Sequence, residues 1–257
     1  VVTDLVLAFA AGLVIATLTA PVGVSGAVFM LPIQLTVLSV PNPAVTATNL
    51  LYNVIASPGA LFRYRRSGRV SGPLTRLLLA GTVPGVVAGA VVRVFLLPGP
   101  RAFRVIAGLI LLSLGLWLVW RTRSRRRPRH PLTRRAVFAL SLAVGVVGGV
   151  YGIGGGSILS PLLVGSGMTV AVVAPAALAS TFLTSVIGAC TFAVLALLTD
   201  GTIAPYWEIG VACGLGGLVG GYLGARLQPR LPERTLRLLL GCMAISIGVL
   251  YLVQGIA

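Results

Sequence analysis

The chain has 257 residues, of which 57% are hydrophobic and 9% charged. A soluble domain carries charge on roughly a quarter of its residues, so this composition excludes a water-soluble globular protein and predicts an all-α, polytopic membrane protein. The net charge of +16 does not point to nucleic acid as a partner. The Arg residues stand in interrupted clusters at the ends of apolar segments, where the positive-inside rule places them and where they favour anionic lipid headgroups.

Apolar segments lie at about 4–20, 23–38, 44–62, 72–97 and 100–120, then at about 134–151, 154–168, 172–199, 203–226 and 234–255. About 8 to 10 of them are expected to enter a bilayer whose hydrocarbon core is ~30 Å thick. The first segment has no basic region before it and no visible cleavage site, so it reads as mature structure. It ends at Pro21-Val22-Gly23-Val24-Ser25-Gly26, a break before a second short segment. The third segment carries Asn49 and Asn53 and ends at Arg63, Arg65, Arg66 and Arg69. The fourth contains Arg76 and Arg93, read as snorkelling to the interface, with attraction of an anion at a cavity mouth as the alternative for Arg93. Residues 122–133 form an Arg-rich cytoplasmic linker between a first transmembrane repeat, 1–121, and a second, 134–257.

The second repeat is recognised by its register. Pro21 to Pro32 matches Val150 to Pro161, Ala47-Thr48-Asn49 matches Ala179-Ser180-Thr181, and Gly68-Arg69-Val70 matches Gly201-Thr202-Ile203. Gly85 and Gly89 match Gly217 and Gly221, and Gly108 and Gly115 match Gly241 and Gly248. The offset stays between 129 and 133, which a duplication explains and chance does not. The loop after the third segment is rich in Arg, whereas its counterpart from Asp200 to Glu208 has none. Equivalent loops are therefore expected on opposite sides, giving inverted-topology repeats with both termini outward. Two parallel four-span halves would instead leave an Arg-rich loop outside.

Both repeats break early, the second at Gly152-Ile153-Gly154-Gly155-Gly156-Ser157. Irregular backbone at membrane depth is tolerated only where protein buries it or a cavity meets it, and paired short segments point to a transporter site. A helix restarting after Gly155 and Gly156 offers N–H groups and a dipole that favour an anion. Ser25 and Ser157 can add hydroxyls, and Gly23, Gly26 and Gly154 let an oxyanion approach the main chain. Asn49 and Asn53 share one helix face, and Thr181, Thr184 and Ser185 form the corresponding stripe. The expected substrate-binding set is thus Gly23, Ser25, Gly26, Asn49, Asn53, Gly154, Gly155, Gly156, Ser157, Thr181 and Ser185. Close helix packing through small residues is the competing reading of the glycines.

Asp4, Asp200, Glu208 and Glu233 are the only acids and stand near segment ends, and His130 lies in the linker. No carboxylate or His is expected at the midplane, where proton relays place one. No catalytic set, cofactor motif or metal-ligand spacing is present, so an enzyme is not expected. Cys190, Cys213 and Cys242 are far apart and read as small buried hydrophobes.

At the two Gly-rich breaks followed by Pro32 and Pro161, and at the small polar stretches beginning at Ala47 and Ala179, the chain resembles the TauE/SafE family, often called sulfite exporters. The second break is the closer match; the first has Ser25-Gly26-Ala27 where the family usually has more Gly. The resemblance implies a transporter of the bacterial inner membrane. Its substrates would be small sulfur-containing anions such as sulfite, sulfoacetate or related organosulfonates. It would export them by alternating access around a midplane site. A passive anion channel and a non-transporting membrane scaffold are the alternatives.

Overall fold

The apolar segments become α-helices. A computed structural model describes residues 2–42, 44–65, 70–96, 100–123, 132–198 and 203–256. The helices are α1 (Val2–Thr19), α2 (Ala27–Thr36), α3 (Ala44–Arg65), α4 (Pro73–Phe95), α5 (Pro100–Arg123), α6 (Arg134–Tyr151), α7 (Gly156–Gly165), α8 (Val170–Leu198), α9 (Trp207–Leu227) and α10 (Glu233–Ile256). They fall close to the segments expected from the apolar pattern, and no strand occurs among the described residues. Most of the Arg-rich linker with His130, Arg66 and Arg69, Asp200, and most of the match between the loops after the third segments lie outside them.

Six helices, α1, α4, α6, α8, α9 and α10, are long and apolar enough to cross a membrane. The chain is therefore a multi-pass, all-α membrane protein. α3 is also long, with 22 residues, but its Asn, Tyr and Arg residues lower its hydropathy. α2 and α7 have ten residues each. At 1.5 Å per residue each is ~15 Å long, half of the hydrocarbon core.

Helices of one half pack mainly on helices of the other. α1 packs along α9 as α6 packs along α4, and α3 also meets α9 as α8 meets α4. α3 lies against α8, α5 against α10, and α2 and α7 rest on α3 and α8 respectively. Small residues allow the closest of these approaches, because without a hydrophobic force between helices in lipid, backbone proximity supplies the dispersion energy. A Cβ on Gly220 of α9 would stand 2.1 Å from the Leu13 carbonyl oxygen of α1, and one on Gly89 of α4 2.1 Å from the Val146 carbonyl oxygen of α6.

Two sequence expectations are corrected. Arg76 is exposed, but Arg93 is fully buried and does not snorkel: neighbouring side chains satisfy it inside the protein. Only Cys213 is buried; Cys190 and Cys242 are exposed, on helix faces turned away from the protein interior. The described acids Asp4, Glu208 and Glu233 each lie in the first turn of a helix, where the helix dipole favours them.

Candidate functional site

The two breaks begin in the same way. Gly23 and Gly152, matched at the offset of 129, adopt φ values of +74° and +66°, a left-handed conformation that glycine enters without steric cost. Val24 N–H then donates to Thr19 O at 3.3 Å, and Ile153 N–H to Gly148 O at 3.1 Å, the six-to-one bond of a Schellman ending. The chain leaves α1 and α6 through these endings and restarts as α2 and α7.

Cross-links bring the breaks together. Ser160 Oγ of α7 donates to Val22 O at 2.5 Å. Asn53 Nδ2 of α3 reaches Gly152 O at 3.5 Å. A Cβ on Gly23 would lie 2.3 Å from the Cα of Ala174 and 3.0 Å from Ser160 Oγ. Residues 23–26, 154–157, 49, 53, 181 and 185 thus gather in one buried region, and Asn49, Asn53, Thr181 and Ser185 have no accessible surface.

Positions matched in sequence make matched contacts. Gly26 lies against Tyr52, whose hydroxyl would stand 2.2 Å from a Cβ at that glycine. Gly155, its counterpart, donates its N–H to Thr184 Oγ1 at 3.2 Å; Thr184 is the counterpart of Tyr52 at an offset of 132. Ser25 donates to Asn53 Oδ1, and the matched Gly154 lies against Ser185. Asn49 Nδ2 donates to Ala27 O at 2.9 Å, and the matched Gly156 lies against Thr181.

The chemistry of the two sets differs. Around the first break Ser25 and both amide groups have partners, Ala27 N–H donates to Ser25 Oγ at 3.1 Å, and the buried atoms without a partner are Asn49 Oδ1 and the hydroxyls of Tyr52 and Thr19. Around the second break Thr181 Oγ1 and Ser185 Oγ are buried without a partner. Ser157, expected to offer a hydroxyl, donates instead to Ile153 O at 2.7 Å.

Several residues of this region were not in the expected set. Tyr52 and Thr82 carry no motif. Tyr52 was findable as the repeat partner of Thr184, whereas Thr82, which bonds Ser180 at 3.0 Å and touches Gly155, gave no signal. Arg93 Nε donates to Thr46 Oγ1 at 3.3 Å, its Nη2 donates to Asn42 Oδ1, and Thr46 Oγ1 lies 3.5 Å from Val150 O. Arg93 is the charged residue that is fully buried among those described, and it stands beside the second break.

A cavity of about 390 Å³ opens next to the first break, lined by Arg63, Tyr64, Ala171, Ala225 and Gln228 among others. Its wall holds that break's carbonyls: Tyr64 Oη donates to Ala20 O at 3.0 Å and Gln228 Nε2 to Pro21 O at 2.6 Å. No group of His, Cys, Asp and Glu capable of holding a metal occurs among the described residues.

The gathered region holds no Asp, Glu or His among the described residues. It has irregular main chain, hydroxyls and amides held between membrane-spanning helices, which is the construction of a membrane transporter. The family model for the sulfite exporter TauE/SafE matches residues 8–251. The chain belongs to that family, whose members are transporters of sulfur-containing anions and not enzymes. No curated protein matches the chain.

Proposed function

We propose that the protein is a secondary transporter that exports small sulfur-containing anions, such as sulfite, sulfoacetate or related organosulfonates, across the bacterial inner membrane. The observation that carries this reading is the meeting of two interrupted helices at one buried polar region, tied by Asn53 to Gly152 and by Ser160 to Val22. Main-chain N–H groups, hydroxyls and a buried guanidinium suit a pyramidal or tetrahedral oxyanion. A potential negative inside drives such an anion outward by ~2.3 kcal/mol per charge per 100 mV, so net export needs no proton-coupling carboxylate.

The two halves form inverted repeats and alternate access to this region. The positive-inside rule puts Arg63 and Arg65, at the end of α3, on the cytoplasmic side, so the cavity beside Arg63 faces inward. The opposite end is closed. Arg93 fills it together with Asn42 and Thr46, and Tyr206 N–H donates to Thr48 Oγ1 at 2.9 Å. This is an inward-open arrangement.

Flux of labelled sulfite and sulfoacetate into proteoliposomes, with and without an imposed potential, tests the reading. Saturable flux that accelerates when the potential favours anion movement is the expected result. Protein that inserts correctly yet passes neither anion in either gradient direction would overturn the substrate assignment.

A further inference from the structure

We infer that the cavity beside the first break is an entry site for the anion, where Arg63 of α3 and the N-terminus of α8 hold it before it reaches the breaks. The inference rests on the preceding reading that the chain carries a small sulfur oxyanion. It adds a binding residue, Arg63, outside the gathered polar region.

The gathered region is not where an incoming anion first binds. Asn49, Asn53, Thr181 and Ser185 have no accessible surface. The unpartnered hydroxyls of Thr19, Tyr52, Thr181 and Ser185 are buried with them, at both breaks. The cavity, by contrast, is open. Its volume of about 390 Å³ lies within the range of small-molecule sites, roughly 300–1,000 Å³. It adjoins the first break through Tyr64 and Gln228, which bond the carbonyls of Ala20 and Pro21.

The lining favours negative charge. Arg63 is half-buried in the wall and makes no ion pair among the described residues. Glu233 shares the wall but is already held by Arg237 at 2.6 Å, so it does not neutralise the guanidinium. A guanidinium fork takes two oxygens of one sulfite, sulfonate or carboxylate group at once. Thr169, Val170 and Ala171 also face the cavity. They present the first turn of α8, a helix of 29 residues, with the positive end of its dipole. Gln228 donates one N–H of its amide to Pro21 O and has a second to offer. Arg65, Arg226, Arg230 and Arg234 stand exposed on the segments that carry the wall, and charge of one sign at a cleft raises the local concentration of its counter-ion.

The duplication gives the reason for a cavity on this side. Ala225 in its wall matches Arg93, and Arg63 matches Leu195, both at an offset of 132. Beside the second break the Arg93 side chain fills the space, bonded to Asn42 and Thr46. Beside the first, a methyl group leaves the space open and the cation comes from α3 instead. One arginine plugs its end of the protein and the other lines an entrance.

Protection from chemical labelling tests the site. With the exposed Cys190 and Cys242 replaced by Ala, Thr169→Cys places a thiol in the cavity wall. In phosphatidylcholine vesicles, sulfoacetate should slow the reaction of that thiol with a membrane-permeant maleimide several-fold, and chloride at the same concentration should not. Adding Arg63→Gln should abolish the protection and raise the KM for sulfoacetate flux about tenfold, with maximal flux and melting temperature close to wild type. Arg63→Lys, which keeps the charge and loses the fork, should recover part of both. Arg65→Gln, at the exposed neighbour, should change neither. If wild type carries sulfoacetate saturably while Arg63→Gln keeps both KM and protection, the entry site falls and the transport reading stands. If phosphatidylglycerol in the vesicles slows the labelling by itself and sulfoacetate adds nothing, the cavity holds a lipid headgroup and the entry site falls likewise. If wild type carries neither sulfite nor sulfoacetate, the transport reading falls and takes the inference with it.

Discussion

The carbonyl oxygen of Pro21 accepts a 2.6 Å hydrogen bond from Gln228 Nε2. At the matched position the carbonyl oxygen of Val150 is met by Thr46 Oγ1, which Arg93 backs at 3.3 Å. At each break the last helical carbonyls are thus met by the other half, one facing a cavity and one sealed. The sealed one is more sensitive to loss of its partner. Gln228→Leu leaves Pro21 O facing an open cavity where water can replace the amide, and should cost ~1 kcal/mol or less. Thr46→Val removes the hydroxyl that meets Val150 O and one of the partners of Arg93 in apolar surroundings, and should cost about 2–3 kcal/mol. Thermal unfolding of the two variants in one detergent should rank them in that order, with Thr46→Val the lower.

Asn53 ties the halves by bonding Ser25 on one side and Gly152 on the other. Replacing it with Leu removes both bonds and leaves the Ser25 hydroxyl and the Gly152 carbonyl to find other partners. Asn53→Leu should insert in the membrane at wild-type levels, because the substitution makes α3 more apolar, yet pass sulfite at less than about a tenth of the wild-type rate. Fractionation checks insertion and proteoliposome flux checks transport. Wild-type flux from inserted protein would remove Asn53 from the site.

Neighbouring glycines on α9 should respond in opposite directions. A Cβ on Gly220 would stand 2.1 Å from Leu13 O, whereas one on Gly221 meets nothing nearer than 3.4 Å. Gly220→Ala forces α1 away from α9 and should lower the yield of folded protein several-fold. Gly221→Ala fits, and the gain in helix propensity, about 1 kcal/mol, should leave stability equal or raised. Size-exclusion recovery and melting temperature measured side by side decide it.

Opposite placement of equivalent loops can be read directly. Ser71 and Ala204 are both exposed, one in each member of the matched pair of loops. After replacement of the native cysteines, Ser71→Cys should resist a membrane-impermeant maleimide in intact cells and Ala204→Cys should react. Labelling of both, or of neither, would contradict inverted repeats.

The sequence by itself determined the membrane class, the helical segments and the places where helices stop. These follow from local properties that a bilayer reads one segment at a time: apolar length against hydrocarbon thickness, Gly and Pro against backbone hydrogen bonding, Arg against the interface. Gly152 and Gly23 announce their turns because only glycine enters that conformation cheaply. The tertiary structure decided which polar atoms are satisfied. Asn49 and Thr181 occupy matched positions on similar helices, yet one has its amide bonded to Ala27 O and the other has an unpartnered hydroxyl. Arg93 reads from the sequence as an interfacial residue near a helix end, yet it is buried where Asn42, in the turn before α3, and Thr46 of α3 come within reach. A side chain's partner across a helix interface depends on rotation, depth and packing distance together. No single stretch of sequence carries all three, so the breaks were legible and the partners of their side chains were not.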